Sequence, residues 1–527
     1  MVDPLKSDLF GDAINGFDGT VEFRHVDVDL PGNSNLPVSF SRKLKIRPIL
    51  ASSQAKTYGG AGDWEIEVPH LSGVFDERYG WSGSGSNPEP RCSSNFFPRT
   101  APPSRIDDIF SGFIFSIPGD GKRSLIAVNH QQFVKQDGKI RKWTTSKLDS
   151  VSCTSMLGNY PGEGFVIETT SGIKYYLNVA TERNAGAMGN YENGDSYNRA
   201  EIFFLASKIE DRYGNWVEYT YDNTPNRLPI AITASDGRQI TITYSNGRVA
   251  TVTASGRTWS YQYSTTGLST VILPDASKWT FSSTAGMLMP DVYWTDRLGP
   301  GCLDGPPMTE RSLSLTIGHP SGATGTFNFS HTQEYRSGIP EISCVAQVDT
   351  NQSTIFFYPT IPIFYELFAI TSKTLHGPGL PSPLTWSYQY SGFNFELWAG
   401  SIPPCTTCPL KKTFITIEPD GSRRESDFGI VYMLNEGRLL GSRLKTPTGS
   451  IIEMEELTYL SDQDVPSMPF PPTYGWQWGG SDDSSVKIRP LVRRVVVRDG
   501  VQHSMVISEF DIYARPTRVT QSSAPTP

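Results

Sequence analysis

The feature that most constrains this chain is a repeat within residues 205–281, where an alternating apolar strand, a turn with Gly or Asp and a second strand recur. Each unit closes on an aromatic residue, and the closing aromatics Tyr221, Tyr244, Tyr263 and Phe281 are 23, 19 and 18 residues apart. Two strands of about 5–8 residues and two turns fill about twenty residues. The spacing therefore predicts antiparallel hairpins, with turns at residues 213–215, 236–238, 255–257 and 275–277.

Fragments of the same pattern lie on both sides of this block. Hairpin signals precede it within residues 113–177, and they return at residues 384–390, 415–422, 444–452 and 495–519. The 527 residues include 12% aromatics, 48 Gly and 39 Pro, and long helical periodicity is missing. This combination of strand and turn formers indicates an all-β protein.

The chain is too long for one conventional core, so we expect several units along it. They are an N-terminal β-rich and loop-rich segment (1–110), the first hairpin units (111–200), the clearest repeats (201–282) and degenerate repeats (283–527).

Two stretches of the first unit have simple interpretations. Val26, Val28 and Leu30 alternate with Asp27 and Asp29, which predicts that both carboxylates lie on a solvated strand face. Residues 82–104 are interpreted as a long surface loop, because Gly, Ser and Pro are frequent there.

Charge and hydropathy limit the partners. The net charge of −8 and pI near 5.5 argue against nucleic acid. The most apolar run, residues 355–370, contains two prolines and is too short for a membrane span, so it favours paired buried strands. The first residues have no apolar signal-peptide core. We expect a secreted or cell-surface protein exported by a signal-independent route after a cytoplasmic stage, with a removed leader or an internal location as alternatives.

No catalytic constellation is recognisable. The seven histidines form no His-Glu-x-x-His, and no Gly-x-Ser-x-Gly is present. The two Gly-rich stretches, residues 59–62 and 81–88, lack the Lys-Ser/Thr of a phosphate-binding loop. We therefore predict no enzyme activity, no metal and no cofactor. The six cysteines fit disulfides and free buried thiols equally well, and Cys405 with Cys408 favours a local disulfide or two thiols over half a zinc site.

The block from Asp211 to Asp222, with its Tyr-Gly-Asn turn and Tyr-x-Tyr-Asp closure, resembles the tyrosine-aspartate (YD) repeats of the Rhs family. The strand that begins near Leu36 also looks like the start of that family's shell. The residues that carry the signature are Asp211, Tyr213, Gly214, Asn215, Tyr219, Tyr221, Asp222, Asp236, Gly237, Arg238, Tyr244, Tyr261 and Tyr263.

This resemblance implies antiparallel hairpin repeats wound into a spiral or cocoon-like β-shell, often around a C-terminal toxin. Such winding is physically reasonable, because a repeat that cannot bury its own face stacks on its neighbour. The chain departs from the family at the Asp-Pro-x-Gly-Leu pattern linked to self-cleavage, since its only Asp-Pro is Asp3-Pro4. Cleavage and toxicity are therefore assigned to no residue.

The resemblance implies a non-catalytic bacterial shell segment that encapsulates or delivers a toxin or other partner polypeptide, or joins the remaining shell chain. A second hypothesis is a cell-surface carbohydrate-binding or adhesion module, whose possible glycan would stack on exposed Trp81, Trp386, Trp476 and Trp478. A third is an enzyme of β-propeller or β-helix type, and a fourth is a fragment whose function lies elsewhere. We interpret the repeated tyrosines mainly as packing residues of the shell.

Overall fold

The computed structural model describes residues 8–46, 49–50, 60–81, 90–94, 98–99, 112–128, 135, 137–158, 160–189, 196–265, 267–284, 288–289, 311–339, 344–348, 355–359, 364–391, 407–475 and 487–526. Strands dominate these residues, and the one short 3-10 helix among them is Val465–Ser467. None of the described helices is long and apolar enough to cross a membrane.

The strands of the first half are β1 Asp12–Ile14, β2 Val21–Asp29, β3 Ser39–Lys45, β4 Ile49–Leu50, β5 Glu65–Ile66, β6 His70–Asp76, β7 Phe113–Ile117, β8 Gly121–Ala127, β9 Trp143–Thr145, β10 Ser150–Ser155, β11 Glu163–Glu168, β12 Lys174–Gly189, β13 Ser196–Glu210, β14 Trp216–Tyr221, β15 Pro229–Ala234, β16 Gln239–Ser245 and β17 Arg248–Ala254. Those of the second half are β18 Arg257–Tyr263, β19 Leu268–Ile272, β20 Lys278–Ser283, β21 Leu288–Met289, β22 Ser312–Gly318, β23 Thr324–Tyr335, β24 Cys344–Val348, β25 Ile355–Pro359, β26 Phe364–His376, β27 Leu384–Ser391, β28 Lys411–Ile417, β29 Arg423–Gly429, β30 Leu439–Lys445, β31 Ile451–Tyr459, β32 Leu491–Arg498, β33 Val501–Phe510 and β34 Pro516–Pro525.

The all-β expectation is confirmed, and the strands form three main bodies. Strands β1, β2, β3 and β5 make a small antiparallel sheet, called here the N-terminal sheet. Strands β6 to β13 each pair with the next, and β13 pairs back to β6, which closes an eight-stranded ring. From β14 to β34 a continuous antiparallel sheet follows, called here the wall, with β21, β24 and β25 outside it.

The ring and the wall separate at β13. One edge of this strand pairs with β12 along almost its whole length. The other edge pairs with β6 from Arg199 to Leu205 and then with β14 from Lys208 to Glu210. The N–H of Ala206 donates to the Pro69 carbonyl at 2.8 Å, and this residue therefore marks the point where β13 changes partner. One strand thus belongs to both bodies.

The wall is built from the hairpins that the repeat spacing predicts. Seven five-residue turns among its described residues share one pattern. The N–H of the first residue donates to the carbonyl of the fifth, and the fourth residue has positive φ. These turns begin at Asp211, Ala234, Leu273, His319, Glu418, Thr446 and Asp511. This is a type I turn followed by a left-handed residue, a common hairpin connection. The pairs Asn246-Gly247, Ser255-Gly256 and Asp499-Gly500 have positive φ at both positions and form tighter turns.

The N-terminal sheet packs against one face of the wall, called here the inner face. Phe10 and Phe23 meet Phe327 of β23 edge to face, with ring centroids 5.8 and 4.8 Å apart. Phe40 meets Tyr261 of β18 at 5.9 Å. All of these side chains belong to one hydrophobic cluster that also includes residues of the ring, so a single core joins the three bodies.

The expectation for Asp27 is wrong. The Asp27 side chain is 1% exposed and paired with Arg42, whereas Val26 is 47% exposed. The register of β2 against β3 shifts between Val26 and Val28, because a β-bulge there breaks the alternation of faces. Asp29, beyond the bulge, is exposed as expected.

The expected surface loop at residues 82–104 lies mostly outside the described residues, and its described part is only partly on the surface, where Arg99 is exposed. Arg91 and Cys92 are both buried, and Cys92 forms a disulfide with Cys153 of β10. Cys408 is disulfide-bonded as well. The cysteine count fitted disulfides and free buried thiols equally well, and Cys92, Cys153 and Cys408 form disulfides.

Candidate functional site

The signature residues at 211–215 form a turn. The Asp211 carboxylate accepts the N–H groups of Tyr213 and Asn215 at 2.8 and 3.0 Å and the Asn215 side-chain amide at 2.8 Å. The amide hydrogen bond, followed by the backbone donors, lowers the pKa of Asp211. Gly214 has φ 87°, and Tyr213 is 75% exposed. These residues fix the hairpin geometry and do not converge on a ligand.

The closing tyrosines act as clamps between neighbouring strands. Tyr221 donates its hydroxyl to the Ala206 carbonyl and Tyr244 to the Pro229 carbonyl, each at 2.7 Å. The same hydrogen bond recurs from the Tyr390 hydroxyl to the Ile370 carbonyl at 2.6 Å and from the Tyr459 hydroxyl to the Leu439 carbonyl at 3.0 Å. Tyr390 is the last residue of Trp-Ser-Tyr-Gln-Tyr, and Tyr459 is the last residue of Glu-Leu-Thr-Tyr. In each case the acceptor lies on the preceding strand, two positions before the first residue of that strand that pairs with the strand of the tyrosine. The sequence shows that a closing Tyr recurs. Which carbonyl its hydroxyl binds is visible only in the tertiary structure.

Tyr221 has a particular role, because its acceptor Ala206 is where β13 leaves β6 for β14. Tyr219, two residues earlier, is partly buried against the core, and burial raises the pKa of its hydroxyl. Asp222 accepts the N–H groups of Thr224 and Leu228 and shapes the following loop. The Tyr-x-Tyr-Asp closure thus secures the junction between ring and wall.

Other signature residues hold the N-terminal sheet. Arg238 donates to the Leu30 carbonyl at 2.6 Å, and Asp236 accepts the N–H of Asn33 at 3.3 Å. Asp236 and Arg238 are paired at 2.8 Å, and the hydrogen bond from Arg238 lowers the pKa of Asp236. Gly237, with φ 87°, lets the turn bring both side chains to the same segment. The Asp-Gly-Arg turn therefore binds main chain that lies more than 200 positions earlier.

Tyr261 continues this contact into a buried polar cluster. Its hydroxyl donates to Asp27 at 2.8 Å, and the same carboxylate accepts from Arg42 at 2.8 Å. The Arg42 guanidinium lies 4.4 Å from the Trp64 ring centroid and is fully buried. His25 bonds the Phe10 carbonyl, and burial, together with the charge of Arg42, holds its pKa well below the usual range.

Tyr263 lies beside this cluster. Its hydroxyl is buried and has no hydrogen-bond partner in the part of the chain that the structure describes, and burial raises its pKa. An added Cβ at Gly62 would lie 3.2 Å from its ring, so the glycine permits the close approach of residues 60–62. Tyr263 is the closing tyrosine that makes no clamp bond, although its position in the hairpin matches that of Tyr244.

A second set of contacts holds the start of the N-terminal sheet against later strands of the wall. Lys373 pairs with Asp12 at 2.5 Å, and both side chains are almost fully buried. Lys412 lies 3.8 Å from the Phe17 ring centroid and is paired with Glu334. Burial, partly offset by Lys373, raises the pKa of Asp12. These pairs need exact partners, because an unpaired buried charge is costly.

Main-chain groups contribute to the same interface. The Ile370 N–H donates to the Gly19 carbonyl, and the Val249 N–H donates to the Gly60 carbonyl, each at 2.9 Å. An added Cβ at Gly19 would lie 2.1 Å from the Tyr390 hydroxyl, so only glycine fits there. Strands β17 and β26 thus bind the N-terminal part of the chain through peptide groups as well as side chains.

These contacts hold one segment of polypeptide, the N-terminal sheet, against the wall. Within the described ranges, no group of three or more His, Cys, Asp or Glu side chains could hold a metal ion. The two described tryptophans that were expected to be exposed for glycan stacking are buried. Trp81 is 2% exposed and stacked on Phe113, and Trp386 is 9% exposed and bonded to Glu418, while Trp476 and Trp478 lie outside the described residues.

No protein-family model matches this chain, and a search of curated proteins finds no match. The likeness to YD repeats therefore rests on the residues quoted above and stays a prediction.

Proposed function

We propose that this chain is a non-catalytic β-shell segment of a bacterial Rhs/YD-repeat protein, which encloses or delivers a toxin or another partner polypeptide, or joins the remaining shell chain. We place it outside the cell or at the cell surface after signal-independent export. The observation that carries the proposal is the inner face of the wall, which already holds one segment of polypeptide, the N-terminal sheet, against strands from β15 to β29.

Two properties of that face support the proposal. Several of its bonds go to main-chain carbonyls, those of Gly19, Leu30 and Gly60, and such bonds do not depend on the side chains of the bound segment. The remaining contacts are aromatic rings and buried ion pairs, which give one fixed arrangement. The same division, with main-chain bonds for affinity and side-chain contacts for specificity, is found where an extended peptide adds to the edge of a sheet.

Enclosure is tested by protease protection. The full chain is extended after Pro527 by an unstructured reporter polypeptide, and the same reporter is attached to an unrelated folded domain. We expect proteinase K to cleave the shell-linked reporter more slowly by roughly tenfold or more, because cleavage follows the exposed population. Equal cleavage rates, with the wall itself intact, would overturn the proposal.

The hold on the N-terminal sheet is tested by a matched pair of variants. Arg238→Ala removes the bond to the Leu30 carbonyl, and limited proteolysis within residues 31–36 should become faster. Arg257→Ala changes an exposed arginine of the next hairpin and should leave that rate unchanged. If both variants behave alike, the inner face does not hold polypeptide in the way proposed.

A further inference from the structure

Four closing tyrosines each bridge two neighbouring strands, and such a pair of strands is called here a joint. Each acceptor lies two positions before the first residue of its strand that pairs across the joint, as Pro229 does for Tyr244. In the joint between β17 and β18 that first residue is Thr251, so the same spacing assigns the Val249 carbonyl to Tyr263. The Tyr263 hydroxyl has no hydrogen-bond partner among the described residues, and this joint is therefore unclamped.

Val249 matches the other acceptors in a second way. Ala206 and Ile370 donate their N–H groups to carbonyls of the chain before β6, at 2.8 and 2.9 Å. Val249 likewise donates its N–H to the Gly60 carbonyl at 2.9 Å. The joint between β17 and β18 therefore has both residues of a clamp and lacks the bond between them.

A cleft of about 470 Å³ lies at this joint. Pairing between β17 and β18 ends at Thr251 and Ser260, and residues 248–250 and 261–263, which continue the two strands beyond that pair, all line the cleft. Small-molecule sites in proteins commonly have volumes of roughly 300–1,000 Å³. The joint that no tyrosine closes is therefore also one that has space for a ligand.

The position of the Tyr263 side chain explains why this space is open. Tyr263 lines the cleft, but its hydroxyl oxygen is buried, and burial raises the pKa of that hydroxyl. The main chain at Gly62 approaches the ring so closely that an added Cβ would lie 3.2 Å from it. The hydroxyl is therefore turned into the contact with the N-terminal part of the chain and does not cross the joint.

Arg248 supplies the only charge among the described residues that line the cleft. Its guanidinium carbon lies 5.3 Å from the Tyr263 ring centroid. Within the described chain Arg248 forms no ion pair, and its one hydrogen bond, to the Ser264 carbonyl, is long at 3.5 Å. A guanidinium has five N–H donors, so most of those of Arg248 are free for a group that enters the cleft.

We propose that this cleft binds a small molecule through its carboxylate, which pairs with Arg248 at the unclamped ends of β17 and β18. The described residues that line the cleft include no Asp or Glu to repel a carboxylate, although the whole chain has a net charge of −8. A planar guanidinium matches a carboxylate through two parallel N–H···O bonds. Asn246 and Gln262, both exposed, also line the cleft and can donate amide N–H groups to the rest of the ligand.

One positive charge fits a monoanion better than a dianion such as phosphate, because the second charge of a dianion would stay uncompensated. A carboxylate can come from the end of a peptide or from a sugar acid, and the two sources share this chemistry. The site does not rest on the shell proposal. Ligand binding and reporter cleavage are measured separately, so either can fail alone.

Calorimetric titration of the full chain at neutral pH tests the site with two pairs of probes. N-acetylglycine is compared with N-acetylglycinamide, and glucuronate with glucose, because only the first probe of each pair has a carboxylate. We expect at least one carboxylate to bind with a dissociation constant of about 1 mM, an ordinary value for so small a ligand. Its neutral counterpart should bind at least about tenfold more weakly.

The two carboxylates also distinguish the sources. Binding of N-acetylglycine alone supports a peptide end as the ligand, binding of glucuronate alone supports a sugar acid, and binding of both shows that the carboxylate suffices. If neither binds up to about 20 mM, well above the expected constant, or if the neutral probes bind equally well, the proposal is overturned.

A matched pair of arginine variants locates the site. Arg248→Gln removes the charge and keeps a polar side chain, and it should weaken carboxylate binding at least about tenfold. Arg257→Gln is the control, because Arg257 is another exposed arginine of the same hairpin and lies 5.6 Å from the Trp259 ring centroid. It should leave the affinity unchanged, and equal losses in the two variants would contradict the assigned cleft.

A pair of tyrosine variants tests the open joint without any ligand. Tyr244→Phe removes a clamp bond and should lower the thermal midpoint of unfolding, whereas Tyr263→Phe removes a hydroxyl without a described partner and should not lower it. Tyr263→Phe should also keep its affinity for the carboxylate, because the hydroxyl is turned away from the joint. A fall in its midpoint as large as that of Tyr244→Phe would show that the joint is clamped in solution and would overturn the proposal.

Discussion

Acid should weaken the closure of the ring through His70. This residue pairs with Leu205 where β6 meets β13, and its Nδ1 lies 2.7 Å from the Val68 carbonyl, so the neutral ring donates there. Its ring meets Phe203 edge to face at 5.2 Å. Burial lowers the pKa of His70 to about 4, the nearby Lys43 and Lys122 act in the same direction, and Glu65 opposes them.

The size of the effect follows from linkage. The folded pKa lies below the ordinary value of 6.5, so the contribution of His70 to stability is complete above pH 6.5 and is lost as the pH falls towards 4. At pH 5 the unfolded imidazole is almost fully protonated while the folded one is mostly neutral. The difference amounts to about 2 kcal/mol of stability, or roughly 30-fold in an opening equilibrium.

Hydrogen exchange measures this opening directly. Between pH 8 and pH 5, the protection factors of amides from Phe203 to Leu205 should fall by about 30-fold. His70→Asn keeps a donor for the Val68 carbonyl but cannot titrate, so most of the fall should disappear. His503→Asn, at an exposed position of β33, should retain it. NMR titration showing His70 protonated at pH 6, or the same fall in His70→Asn, would refute the reasoning.

Three further predictions concern stability. Reducing the Cys92–Cys153 disulfide, whose partners are 61 residues apart, should lower the free energy of unfolding of the ring by about 4 kcal/mol in the chain-entropy estimate, as measured by urea unfolding with and without reductant. Gly214→Ala should cost about 1–2 kcal/mol, because φ is 87° there, and an unchanged denaturation midpoint would contradict the assigned turn. Asp27→Ala should cost about 3–5 kcal/mol by leaving Arg42 buried without its partner, whereas Asp29→Ala, at an exposed position, should change stability by less than about 0.5 kcal/mol in the same unfolding assay.

The hairpins of the wall were predictable because their causes are local. A turn such as residues 211–215 is fixed within five positions by an Asp that accepts backbone N–H groups and a Gly that tolerates positive φ. Alternation then sets the faces of the flanking strands. Sequence reasoning could therefore find the strands and turns of the repeats without knowing what they pack against.

The contacts of the candidate site were not predictable in this way. Arg238 looks in the sequence like an ordinary turn residue, and nothing near it in the chain shows that it binds the Leu30 carbonyl. Asp27 sits in a clean alternating pattern, and the bulge that turns it inward depends on the register with β3. Trp81, taken from the sequence as exposed, is buried because Phe113 and Phe204 of distant strands pack against it. Trp386, also expected to be exposed, is buried and bonded to Glu418.

The sequence by itself determined that this protein is all-β and built from repeated antiparallel hairpins, because turn chemistry and alternation act over a few residues. Only the tertiary structure decided how the hairpins close and what they hold. Leu205 pairs with His70, 135 positions earlier, and Tyr261 bonds Asp27 across 234 positions. Such contacts arise when segments far apart in the chain bury their surfaces together, and no local pattern specifies which segments meet.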